Sequence, residues 1–304
     1  MWGRLVPMSS PKPFKTYDEQ VQILVKRGLR IDDRDATAEI LHRVSYYHLR
    51  GYYIDLLDNS GMFLPGASFE KIFARFQSDR ALRSILFKAL ESVELLIRNE
   101  CSYVLGEKYG PLGYRNPQNF RNEEINKVLL TKITKEANRS RELFVRHHVD
   151  KYDGDFPIWV AVELLSFGTV SAQLYKNMLN DDQREVSEAL GIKSAKVTQS
   201  FLHSLSVLRN SCAHHSRIYA RSFSVPCKIL NHDEARTREF EPGFKISPRR
   251  LFALLLALRA LLTPQRCTEM VEGIAGVLRE NPDYRRGPQG LPDSWQEILR
   301  GDLP

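Results

Sequence analysis

The chain has 304 residues, 42% of them apolar, enough to bury a large core as one large domain or two intimate ones. Lys and Arg outnumber Asp and Glu by 44 to 37, a formal net charge of +7, which makes a polyanion such as RNA a candidate partner. The four cysteines, Cys101, Cys212, Cys227 and Cys267, form no CxxC pair and no Cys/His cluster at zinc spacing, which excludes a zinc framework and points to a cytoplasmic protein.

The opening residues MWGRLVPMSSPKPF hold no apolar run long enough for a signal peptide. Thr16 and Glu19 form a capping box before Val21, Leu24 and Val25, which predicts a helix ending near Gly28. A second helix is expected from the Asp32/Asp33/Asp35 cluster to Gly51. The clearest helix spans about 79–109, where Leu82, Leu86, Leu90, Val93, Ile97, Cys101 and Val104 recur at three- and four-residue steps. Gly110-Pro111 stops it, and 110–120 reads as loop.

A polar helix is expected over about 123–150. Pro157 then opens PIWVAVELLSFG, apolar nearly all round, which predicts a central buried helix. Glu163 inside it needs a partner if buried. Another helix runs from about Ser194 to the sequence LRNSCAHHSR. Alternation at Phe223, Val225, Cys227 and Ile229 predicts a small strand or hairpin, an irregular insertion near 220–247. Helices follow over about 248–263 and 264–280. The stretch 251–262 is about half a membrane span and carries Arg259, so it reads as a core helix.

Arg209 and His214 stand in R-x4-H spacing. With eight histidines and abundant arginine in 304 residues, chance alone gives about one such pair, and two occur, here and at Arg43/His48. The chemistry nevertheless coheres. In RNA cleavage the neighbouring 2′-hydroxyl can attack the phosphate, so the protein must supply a proton carrier near neutral pH and a cation over the phosphate oxygens. Histidine suits the first role and arginine the second. On an ideal helix five residues leave about 140° between the two side chains, so either the helix distorts or a second chain completes the site. The other reading of His214 and His215 is a pair of imidazoles capping a helix end.

Six stretches in order resemble the Abi-like abortive-infection family (AbiF/AbiD type) of the HEPN superfamily. They are PFKTYDEQVQILVKRGLRI, YYHLRGY, RALRSILFKALESVELLIRNECSYVLGEKYGPLGY, PIWVAVELLSFGTVS, LRNSCAHHSRIYAR and GLPDSWQE, spanning roughly 11 to 300. The resemblance implies an all-α HEPN-like helical bundle with additional N-terminal helices. It further implies a phage-defence endoribonuclease, metal-independent and without cofactor, acting as a homodimer on RNA. A small regulatory RNA and an antitoxin are conceivable further partners, and no membrane is involved. The catalytic motif falls on Arg209 and His214, with Asn210 and His215 beside them. Where the family usually has Trp after the His pair, Ile218-Tyr219 stands instead. A tyrosine can also stack on a base.

The implied organisation is a tail over 1–10, one helical domain over 11–280 with its HEPN core at about 77–265, and a loop-rich tail over 281–304. Glu163 either orients Arg209 or makes a structural ion pair. Arg217 and Arg221 either hold phosphate or are solvated. Tyr46, Tyr47, Tyr52 and Tyr53, with His48 and Arg50, form either an RNA-stacking face or core. The alternative to an enzyme is a helical module that binds RNA or a partner without turnover.

Overall fold

A computed structural model describes residues 13–300; the tail expected over 1–10 lies outside them. Fourteen α-helices and no strands occur among the described residues, so the protein is all-α. It divides into two compact units between Gln77 and Ser78.

In the first unit, α1 (Tyr17–Lys26) starts at the Thr16/Glu19 box, whose reciprocal hydrogen bonds satisfy amides that have no helical partner. Asp33 caps α2 (Arg34–Arg43) by accepting from the Ala36 amide. The single helix expected over 32–51 is two. Val44 takes extended backbone, and Ser45 accepts from the Tyr47 amide to open α3 (Tyr46–Arg50). A β-branched residue followed by a hydroxyl that competes for backbone donors makes this a low-cost break. It also parts Arg43 from His48, and Arg43 pairs with Glu39 at 2.7 Å.

The tyrosine cluster divides in the same way. Tyr52 and Tyr53 are buried with Phe63 and Phe76, while Tyr47 stays exposed. Arg75, itself buried, donates to the Tyr52 carbonyl and pairs with Asp55 at 3.0 Å.

The unit boundary falls within α4 (Phe69–Tyr109), which begins ten residues before the expected start. In the second unit its stripe from Leu82 to Val104 is fully buried. The polar helix expected over 123–150 is interrupted, giving α5 (Glu123–Arg139) and α6 (Leu143–Tyr152). Ser140 and Glu142 have extended backbone between them, and the Ser140 hydroxyl accepts from the Glu142 amide.

The central buried helix expected after Pro157 is corrected more strongly. It is a chain of short pieces: α7 (Ile158–Ala161), a 3-10 turn at 162–164, α8 (Phe167–Thr169) and a π turn at 170–174. Leu165 is extended and Ser166 caps α8 from its side chain, which ends the first piece. Apolar composition reported the burial of Val162, Phe167 and Val170 correctly, yet Trp159 is 52% exposed and Glu163 is exposed as well.

α9 (Asn180–Ala189) precedes α10 (Ala195–Ala213), which packs on α8, α9 and α12. No strand or hairpin forms near 220–247; that region carries extended chain and then α11 (Asn231–Phe240). The amides of Phe223 and Cys227 bond to the carbonyls of Arg249 and Pro248, two isolated anchors instead of a ladder. α12 (Leu251–Leu261) is buried at every residue except Ala260, with Arg259 paired to Asp233 of α11 at 2.9 Å. α13 (Pro264–Glu280) starts at Thr263, as its Thr-Pro sequence predicts. Residues 281–300, expected as a loop-rich tail with a short final turn, carry α14 (Trp295–Arg300) against α11, α12 and α13, with Trp295 fully buried. No helix among the described residues is long and apolar enough to cross a membrane.

Leu90 is fully buried at the middle of the α4 stripe. Leu90→Ala is expected to cost about 2–5 kcal/mol in urea denaturation of the whole chain. A loss under about 1 kcal/mol would mean that the stripe is not packed as described.

Candidate functional site

α10 ends inside the motif. Ala213 is its last residue, His214 closes it at φ −96°, ψ 19°, and His215 turns into the left-handed region at φ 57°. The His215 amide bonds the Cys212 carbonyl at 3.3 Å, and the Ser216 amide bonds the Ser211 carbonyl at 2.9 Å. This paired 5→2 and 6→1 pattern is the Schellman helix stop, which usually places glycine where His215 stands. A histidine there costs about 1 kcal/mol relative to glycine. The stop holds both imidazoles in solvent at the end of α10.

The chain beyond the stop is held by one buried carboxylate. Asp79 of α4, with no exposed surface, accepts from the Ile218 amide at 3.1 Å and the Tyr219 amide at 2.8 Å. It also accepts from the Tyr284 hydroxyl at 2.7 Å and pairs with Arg83 one turn on. These donors match the roughly four lone-pair sites of a carboxylate. Gln289 accepts from the Ala220 amide, and Arg250 donates to the Ala220 carbonyl at 3.0 Å. Ala220 itself lies at φ 52°, so left-handed residues stand on both sides of the clamp.

Arg209, half-buried one turn before the stop, donates from Nε to Glu94 of α4 at 3.1 Å. Glu94 also pairs with Arg98, which in turn donates to the Val162 carbonyl. Two guanidiniums thus share one carboxylate, a triad that keeps one net positive charge. The Arg209 guanidinium lies 6.0 Å from the Phe87 ring centre and 3.5 Å from the Asn210 side-chain oxygen. Arg209, Glu94, Arg98 and Phe87 line a cleft of about 230 Å³ together with Glu91, Leu95 and Glu163.

Glu163 is therefore in the cleft but is neither buried nor the partner of Arg209; Glu94 takes that place. Tyr219 is corrected as well. It is 1% exposed with its ring on Tyr284, centroids 4.9 Å apart, so it offers no face to a base. Arg217 and Arg221, half-buried, brace the loop backbone through the Tyr219 and Arg217 carbonyls. Tyr47, His48 and Arg50 are exposed on α3 in the first unit, with His48 edge-on to Phe76. Burial pushes the Cys212 thiol, between the motif residues, up to about 12, so it stays protonated and inert. No group of three or more His, Cys, Asp or Glu among the described residues is placed to hold a metal ion.

Asp79, Glu94 and Arg98 were not singled out from sequence. The available signal was the repeated i, i+4 acid–base pair, Asp79/Arg83 and Glu94/Arg98, bordering an apolar stripe. On an exposed helix the same pattern is a weak surface pair.

The Abi-like protein family model matches residues 39–220. The chain belongs to the Abi-like family, whose name ties it to abortive infection, a form of phage defence. No curated protein and no solved structure matches it.

Asp79→Ala should destabilise the second unit by about 3–5 kcal/mol, because it removes the carboxylate that pairs with Arg83 and accepts from two buried amides. Faster hydrogen exchange at Ile218 and Tyr219 should accompany the loss, and unchanged exchange there would refute the clamp. His215→Gly is expected to hold or raise the melting temperature, whereas His215→Val lowers it by about 1–2 kcal/mol equivalent. The opposite order would show that the helix stop is not strained at this residue.

Proposed function

We propose that this chain is an abortive-infection ribonuclease of the HEPN type, with Arg209 and His214 as its catalytic pair. The observation that carries the reading is the helix end: His214 stands in solvent where α10 stops, one turn beyond an arginine paired to Glu94. In the proposed reaction the RNA 2′-hydroxyl attacks the adjacent phosphate in line. An imidazole takes the 2′-proton, the 5′-oxygen leaves with a proton, and a 2′,3′-cyclic phosphate remains. Arg209 stabilises the charge developing on the phosphorane oxygens. His214 carries the proton. The chemistry as written needs no metal or other cofactor.

Five residues of ideal helix would part Arg209 from His214 by about 140°, and each chain has one credible motif. A two-fold homodimer that joins two copies of residues 194–217 would place two Arg and two His in one cleft. The chain would then act on RNA in the cytoplasm. The second reading is a binding module without turnover. It draws on the engagement of Arg209, Arg217 and Arg221 with protein groups, which leaves few uncommitted cations near the motif.

Expression of the wild type beside His214→Ala and Arg209→Ala in a bacterial host tests the proposal. Wild-type protein should slow growth and fragment RNA to cyclic-phosphate ends, insensitive to EDTA, and either substitution should reduce cleavage by about 100-fold or more. Intact RNA with the wild type, or full cleavage by a folded His214→Ala protein, would replace the enzyme reading with the binding module.

A further inference from the structure

The cleft beside Arg209 has an unexpected charge for a protein of net +7. Glu163 lines both this cleft and a second one of about 500 Å³, walled by Glu136, Arg139, Glu142 and Phe144, so the two clefts adjoin. Their positive groups are committed: Arg98 and Arg209 to Glu94, and Arg139 to Glu136 at 3.3 Å. Glu91, Glu142 and Glu163 are exposed and have no ion-pair partner among the described residues. The joined surface therefore presents three free carboxylates.

The same surface is apolar. Phe87 is 41% exposed, Leu95 55%, Phe144 38% and Trp159 52%. Trp159 lies one turn before Glu163 and covers Gly106 of α4, where an added Cβ would meet the indole at 3.4 Å. Leu95 and Gly106, eleven residues apart, share a face of α4. From Phe87 to Gly106 that helix runs about 28 Å, the length of roughly five turns of a partner helix. Large apolar side chains gathered around unpaired carboxylates mark a recognition surface.

Charge decides the occupant. RNA laid along this whole surface would meet three free carboxylates against the one surplus guanidinium charge of the triad, which disfavours it. A second copy related by a two-fold axis through this face would set the same carboxylates against their own mates. A segment carrying Lys or Arg between large apolar residues satisfies both features at once. We infer that the α4–α7 surface docks a cationic, amphipathic polypeptide segment of another protein, and that this partner covers Arg209. Docking stands on the surface itself; its inhibitory consequence rests on the proposed role of Arg209 in cleavage.

The test uses the full chain carrying His214→Ala and a synthetic Lys/Leu amphipathic helix of about 18 residues, matched in length to the surface. A Glu/Leu peptide of equal length and a short single-stranded RNA are the comparison probes. The Lys/Leu peptide should bind and blue-shift tryptophan emission, and Trp159→Phe should remove the shift. Glu91→Lys with Glu163→Lys should weaken binding about tenfold or more. Asp181→Lys with Glu188→Lys, an equal charge change on exposed α9 positions, should alter it less than twofold. Leu95→Ser provides an independent neutral lesion, with circular dichroism confirming the fold of each variant.

Equal binding to all variants, or equal binding of the Glu/Leu peptide, overturns the inference. So does RNA binding that shifts Trp159 emission and strengthens with the two Lys substitutions. Sedimentation showing that those substitutions dissociate a wild-type dimer would instead assign the surface to a second copy. Peptide binding by a wild type that cuts no RNA would keep the docking surface and remove the proposed function. RNA cleavage without peptide binding would do the reverse.

Discussion

Asp79 is a carboxylate with no access to water, a costly group to bury. It is retained because two oxygens meet backbone amides from Ile218 and Tyr219, the Tyr284 hydroxyl and the Arg83 guanidinium. Those donors come from the α4 helix, the chain after α10 and the segment after α13. Three stretches far apart in sequence are thereby tied at one point. Dispersion alone does not specify such a register, because apolar contacts tolerate sliding that directional hydrogen bonds do not.

The clamp determines where the Arg/His motif can stand. Ile218 and Tyr219 are fixed two residues past the Schellman turn, so the chain has little room to continue α10 or to let it fray. His214 consequently sits at a defined helix end despite the left-handed strain taken up by His215. The second tie, Arg98–Glu94–Arg209, orients the arginine from the same helix that carries Asp79. Two acid–base pairs on α4 thus hold the two ends of one motif: Asp79/Arg83 the exit, Glu94/Arg98 the arginine.

The charge distribution separates two surfaces that net charge merges. The whole chain is basic, with a formal net charge of +7. The surface along α4 and α7 is locally acidic and apolar, because the carboxylates of Glu91, Glu94, Glu136, Glu142 and Glu163 outnumber the guanidiniums of Arg98, Arg139 and Arg209. On the proposed reading, the polypeptide-docking surface and the proposed catalytic motif meet at Arg209.

Helices with strong local instruction were legible in the sequence. The Thr16/Glu19 box, the α4 stripe, the Thr263-Pro264 start and the α12 core run all follow from three- and four-residue periodicity and capping chemistry, which act over a single turn. The family and the position of Arg209 and His214 were legible for the same reason, since they reside in contiguous residues. What sequence left undecided depends on partners distant in the chain. Composition could report that 157–168 is apolar but not that it breaks at Leu165, nor that Glu163 faces water. The alternation at 223–229 resembled a strand, but a strand exists only where a neighbouring strand completes its hydrogen bonds, and here Pro248 and Arg249 provide isolated anchors. Glu94, not Glu163, holds Arg209, and Tyr219 faces Tyr284, not solvent. Both outcomes were set by tertiary packing, because an ion pair or a buried ring is chosen by which side chains meet in space and no local pattern encodes that meeting.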